Sequence, residues 1–123
     1  MNFRKSETVL SFRNAIVLLL LLLGLFLTPG SARTQVPERI ISLAPSITEI
    51  LFSLGLGDRV VGVTNFCDYP KEALKRPKIG GMTNPSLEAI VRLRPDIVVL
   101  TTDGNPGEIE ERLKGLGIMT FVF

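Results

Sequence analysis

The sequence predicts an α/β fold: a four-stranded parallel sheet with helices on both faces, preceded by a cleavable leader. Three observations predict it. Past residue 32 the chain alternates short β-branched apolar runs with stretches whose apolar residues recur at i, i+3 and i+4. Proline and glycine punctuate nearly every change of period. Strand–helix alternation of this kind gives parallel strands joined by right-handed crossovers.

The leader comes first. Arg4, Lys5 and Arg13 make a positive stretch, residues 15–27 (AIVLLLLLLGLFL) form an apolar run of 13, and Thr28-Pro29-Gly30 breaks it. Gly30-Ser31-Ala32 supplies the small residues of a cleavage site. A membrane span needs about 18–20 apolar residues. Residues 1–32 are therefore expected to be a secretory signal peptide, and the fold to occupy residues 33–123. No cysteine follows the run to take a lipid.

Residues 39–44 (RIISLA) are short, β-branched and apolar, the first strand. Ser46-x-x-Glu49 predicts a capping box, Ile47, Ile50, Leu51 and Leu54 one apolar helix face, and Gly55 and Gly57 its stop. Residues 59–63 are the second strand. Residues 64–84 hold Pro70, Pro77, Gly80 and Gly81 and show no long period beyond a helical turn at 71–75. Loops this long in a compact domain are usually functional or disordered. Asn84 as N-cap with Pro85 behind it starts the next helix. Leu87, Ile90 and Val91 face inward there, and Pro95 ends the helix. Residues 97–101 (IVVLT) are the third strand. Asn105-Pro106-Gly107-Glu108 repeats the cap logic, with Ile109, Leu113 and Leu116 as the buried stripe and Gly115 and Gly117 as the close. Residues 118–123 (IMTFVF) are a fourth strand with no helix after it. A bare apolar strand is expected to be completed by a partner or by more of a longer protein. The sum is a single Rossmann-like lobe.

Composition excludes much. With no histidine, Ser-His-Asp and Cys-His catalysis are out and the commonest transition-metal ligand is missing. A single cysteine excludes an internal disulfide and a multi-cysteine zinc site. Of 14 basic and 12 acidic residues, the leader holds three and one (Glu7), so eleven of each remain. The basic character belongs to the leader. No Lys/Arg cluster interleaved with aromatics is left, which argues against nucleic acid as a partner. The string Gly55-Leu56-Gly57-Asp58-Arg59-Val60 lacks the third glycine of a dinucleotide loop and follows a helix rather than a strand. No two acids are spaced for acid–base work, so there is no enzyme signature.

In a doubly wound sheet, ligands sit beyond the carboxyl ends of the strands. Those ends are Ala44-Pro45-Ser46, Thr64-Asn65-Phe66-Cys67 and Thr102-Asp103, and the long loop adds Tyr69 and Gly80-Gly81-Met82. Aromatic, hydroxyl and amide groups with little charge predict a mouth for a bulky, largely neutral ligand.

The runs PERIISLAPSITEILFSLGLGDRVVGVTNFCDYP and PKIGGMTNPSLEAIVRLRPDIVVL resemble the N-terminal lobe of the periplasmic binding proteins for iron–siderophores, haem and cobalamin. The resemblance covers residues 37–123. It is carried by P-S-x-T-E after the first strand, the D-Y-P loop, G-x-x-x-P-S-L-E and L-x-P-D. Asn65-Phe66-Cys67-Asp68-Tyr69-Pro70 is most similar to the cobalamin branch. The family has two lobes joined by a long helix, and here the second lobe and that helix are absent. The resemblance implies the substrate-binding component of an ABC importer for cobalamin or a related metal chelate, present as an N-terminal-lobe fragment. It implies a periplasmic location, an importer permease as partner, no catalysis and no resident cofactor. The alternatives are an iron–siderophore or haem receptor lobe, or a truncated single-lobe product with an interaction role only. By position Phe66 is the ligand-stacking aromatic, with Ser46, Asn65, Tyr69 and Met82 beside it on the rim. Phe66 reads equally as a loop anchor buried under its own segment. Met82 stands near a place where a tryptophan can occur, and a methionine also suits a core gap. Cys67 reads as a small buried residue. Glu88 stands where the family docks on permease arginines, although the helix dipole alone also favours an acid there. Glu49 is explained by its capping box.

Overall fold

The computed structural model describes residues 4–26 and 35–123, which fall into two units, residues 1–34 and 35–123. In the first unit, Arg4–Phe26 form helix α1, with exposed side chains through residues 11–24. The expected cleavage site, Gly30-Ser31-Ala32, lies outside the described residues. Among the described residues no helix is long and apolar enough to cross a membrane.

The second unit runs β1 (Ile40–Ser42), α2 (Pro45–Ser53), β2 (Val60–Val63), α3 (Leu87–Arg92), β3 (Ile97–Leu100), α4 (Gly107–Gly115) and β4 (Met119–Val122), with 3₁₀ turns at Gly57–Arg59 and Lys71–Lys75. All four strands are parallel, in the order β2-β1-β3-β4. The inner strands bury alternate residues on opposite faces. Ile40, Ala44 and Val99 pack with Ile47 and Leu51 of α2. Ile41, Leu43, Val98 and Leu100 pack with Ile90 of α3 and with Ile109 and Leu113 of α4. Burial on both faces is why these strands read as unbroken apolar runs. The expected α/β lobe with helices on both faces is what the chain forms. Moving outward from β1 to β2 over one face, and the other way over the opposite face, keeps every crossover of one hand.

Two helices end as their glycines predict. Gly55 has φ +76°, and the N–H of Leu56 reaches the carbonyl of Leu51 at 2.9 Å while that of Gly55 reaches Phe52 at 3.0 Å. Gly117 repeats the pattern, with Ile118 bonded to Leu113 and Gly117 to Lys114. Both are Schellman closures. In α3 the same left-handed position is held by Arg94, φ 47°, and the next residue is Pro95, which has no N–H to give. The guanidinium of Arg39 substitutes: Nε donates to the carbonyls of Leu93 and Arg94 at 3.1 Å, and a terminal nitrogen donates to Leu93 at 2.6 Å.

The helix starts differ from expectation. The capping box at Ser46 and Glu49 does not form. Helix α2 begins two residues earlier, with Pro45 at its first position, Ala44 as N-cap and no side-chain cap. The proline fixes the helical φ and moves Ser46 inside the first turn. The N-cap of α3 is Ser86, whose hydroxyl accepts from the N–H of Ala89 at 3.2 Å, and not Asn84. Glu88 is thereby the second helical residue. The N-cap of α4 is Pro106, which frees Asn105 for another task. Buried stripes also shift. Ile50, Leu54, Val91 and Leu116 are exposed, while Thr48 is fully buried, because short helices lie on the sheet along a narrower line than the periodicity suggested.

Ser86→Ala is expected to cost about 1 kcal/mol of stability, and Glu49→Ala, at an exposed site with no capping bond, less than about 0.5 kcal/mol. Urea denaturation of the two variants reads the difference. A larger loss for Glu49→Ala would restore the capping box.

Candidate functional site

The sheet order puts a topological switch point between β1 and β3, since the chain leaves these neighbours in opposite directions. Three segments surround the carboxyl ends there: the turn after β1, the loop after β2 with its return through residues 78–86, and the loop after β3.

The loop after β2 is held from below and from the side. Residues 63 and 78 form a parallel bridge, and residues 80 and 85 an antiparallel one. The N–H of Asn65 donates to Gly80 at 2.9 Å, and that of Ser86 to Ile79 at 2.7 Å. Lys78 Nζ donates to the carbonyl of Cys67 at 3.0 Å. Beneath lies a buried polar cluster: Thr48 Oγ1 donates to Ser42 Oγ at 2.8 Å, and the Cys67 Sγ lies 3.1 Å from the hydroxyls of both Thr48 and Thr64. Cys67 is thus a buried anchor, 1% exposed, with its polarity used inside the fold.

On this pinned loop the two aromatics stand out. Phe66 is 64% and Tyr69 65% exposed, so neither is an anchor buried under its own segment. The edge of the Phe66 ring comes within 4.0 Å of where a Cβ on Gly81 would lie, which draws Phe66, Asn65 and residues 80–82 together. Met82 is half-buried. It packs against the core on α2's side, and its methyl lies 2.5 Å from where a Cβ on Gly104 would stand. Glycine at 104 lets this methyl sit over the loop after β3. Met82 is therefore part wall and part core. Ser46 and Asn65 are exposed at the same ends.

Asn105 is the residue that sequence reasoning misplaced. It is 9% exposed, its Oδ1 accepts from the N–H of Thr101 at 2.8 Å, and its Nδ2 donates to the carbonyls of Leu43 at 3.0 Å and Met82 at 2.8 Å. An Asn-Pro pair ahead of a helical period looks like a cap. Only the placement of β1 beside β3 shows the side chain turned back across the seam.

Glu88 stands apart from the rim in its contacts. Its side chain is 81% exposed and pairs with Arg92 at 2.6 Å. The pair borders an open hollow of about 470 Å³ with Leu87, Val91 and Leu116. Among the described residues no three His, Cys, Asp or Glu side chains are grouped to hold a metal ion.

Comparison with known proteins follows this geometry. A family model described as periplasmic binding protein matches residues 40–123. A vitamin B12-binding protein of Vibrio parahaemolyticus is 41% identical over 98 residues, which are 80% of this chain and 36% of that protein. The crystal structure of the periplasmic vitamin B12 binding protein of Vibrio cholerae is similar at TM-score 0.66 and 38% identity, over 70% of this chain and 34% of that one. A periplasmic haem-binding protein from Pseudomonas aeruginosa is similar at TM-score 0.67 and 27% identity, over 72% and 32%. The chain spans about a third of the length of the relatives it matches.

Proposed function

The chain belongs to the periplasmic binding protein family, and from that premise we propose that it captures cobalamin or a related metal chelate for an ABC importer, as a binding and not a catalytic lobe. The observation that carries this is the pair of exposed rings, Phe66 and Tyr69, on a loop pinned by buried polar bonds at the sheet's switch point. Rings held in place supply contact area to a large flat ligand at little ordering cost. The relatives' names point to the same ligand. The rim residues Ser46, Asn65, Phe66, Tyr69 and Met82 are uncharged, which suits cobalamin better than an anionic siderophore needing Arg or Lys. A haem chelate is the second reading, favoured by the similarity to the haem-binding protein. In this reading residues 1–32 are a signal peptide that delivers the chain to the periplasm, and Glu88 is the docking acid for a permease arginine. The apolar border of Leu87, Val91 and Leu116 beside Glu88 supports docking, because an ion pair gains strength where a partner excludes water.

Four outcomes are expected. Tyr69 is the sole tyrosine of a chain without tryptophan, so its fluorescence should be quenched by cyanocobalamin more readily than by a ferric siderophore. Phe66→Ala should weaken that binding by about 1–2 kcal/mol, some 5- to 30-fold. Equal affinity of the variant removes Phe66 from the site. N-terminal sequencing of secreted protein should begin at Arg33, and a mature product still starting at Met1 refutes the signal peptide. Glu88→Ala should lower binding to the importer several-fold while changing stability by less than about 1 kcal/mol. Unaltered importer binding would leave Glu88 as a helix-dipole and ion-pair residue only.

A further inference from the structure

We infer that Asn105 is the positioning residue of the strand-end mouth: its buried amide fixes the spacing of the β1 turn, the 80–82 segment and the β3 loop, so that ligand meets a preformed rim. The inference rests on the reading of this end as the ligand site. Three observations carry it. Each polar atom of the side chain is engaged with a different segment: Oδ1 with Thr101 of its own loop at 2.8 Å, and Nδ2 with Leu43 at the end of β1 at 3.0 Å and Met82 of the long loop at 2.8 Å. The bond to Met82 is the one that matters most. It holds from the far side the same segment that Asn65 holds through Gly80, and the Phe66 ring lies against that segment at Gly81. Finally, the residue is nearly buried, so water does not readily replace the two bonds donated by Nδ2.

The side chain separates two tasks, and substitution can separate them too. Asn105→Asp keeps an oxygen for the Thr101 N–H but sets an oxygen, in place of a donor, against the carbonyls of Leu43 and Met82. Asn105→Ala removes all three bonds without adding charge. In the full chain, backbone hydrogen exchange should then quicken at least about ten-fold at Asn65 and Ser86, whose N–H groups hold residues 79–80, while Thr48 in α2 and Ile90 in α3 keep their protection. The dissociation constant for cyanocobalamin, measured by calorimetry, should rise about ten-fold, while the thermal transition stays cooperative at a midpoint lowered by the lost buried bonds.

Local loosening together with weakened binding in either variant supports the inference. Unchanged exchange at Asn65 and Ser86, or loosening without a change in affinity, overturns it. So does loss of the whole fold in both variants, since the amide would then be a requirement of the lobe and not of its mouth. If the parent chain itself gives no heat with cyanocobalamin, the ligand reading fails, and the exchange pattern alone decides the role of Asn105.

Discussion

Over the middle of the sheet the chain parts in two directions. After β1 it goes to one side, and after β3 to the other, leaving a seam between two departing backbones. Peptide groups at such a seam have run out of ladder partners, and buried ones must be satisfied. The carbonyl of Leu43 and the N–H of Thr101 are in that position, and the Asn105 amide, with a donor and an acceptor on one rigid plane, serves both. The same Nδ2 then reaches Met82, so closing the seam and placing the rim are one event. The seam itself is occupied by protein.

The two ends of the sheet spend their charges differently. At the amino ends of the strands, Asp96 accepts from the backbone N–H groups of Glu38 and Arg39 at 2.9 Å, and Arg39 caps the carbonyls at the end of α3. That end is closed by ionic side chains bonded to backbone, the stronger class of hydrogen bond. At the carboxyl ends the corresponding work is done by neutral groups: an amide over the seam, and hydroxyls and a thiol under the long loop. Lys78 is the exception, and its ammonium is turned toward the carbonyl of Cys67. The mouth is weakly charged because its supports are neutral as well as its lining, which matches a ligand held by area and shape.

What was legible in the sequence was whatever depends on local period and on glycine. The β-branched runs placed all four strands, and Gly55 and Gly117 placed two helix ends through their φ of +76°. Helix starts were less legible, because Ser, Asn and Pro each fit several positions in the first turn. Ser46, Asn84 and Asn105 all resembled N-caps, yet Pro45 and Pro106 moved two of those starts and Ser86 took the third. That Phe66 and Tyr69 lie on a loop after a strand was legible in the sequence. What holds them was not. Bonds from Thr48 to Cys67 and from Asn105 to Met82 join residues far apart in the chain, and neither propensity nor spacing records them.

Exposed aromatic side chains occur in two places on this unit, and their supports differ. Along β4, Met119, Phe121 and Phe123 are exposed because side chains alternate across a strand, while Ile118 and Val122 take the packed face. Phe121 and Phe123 meet edge to face at 5.0 Å, so part of that area is already covered within the strand. No periodicity exposes Phe66 and Tyr69. They lie in a stretch without regular structure, where a free chain would fold its rings inward to escape water. Instead the polar groups beneath take the inward positions: Thr48, Thr64 and Cys67 are each buried, and both hydroxyls are bonded to the Cys67 thiol. The space under the loop is taken by bonded hydroxyls and a thiol, and both rings stand outside it. The aromatic surface is kept outside by the packing below it, and that is what makes this end of the sheet, rather than the β4 edge, the place where a ligand would find ordered contact area.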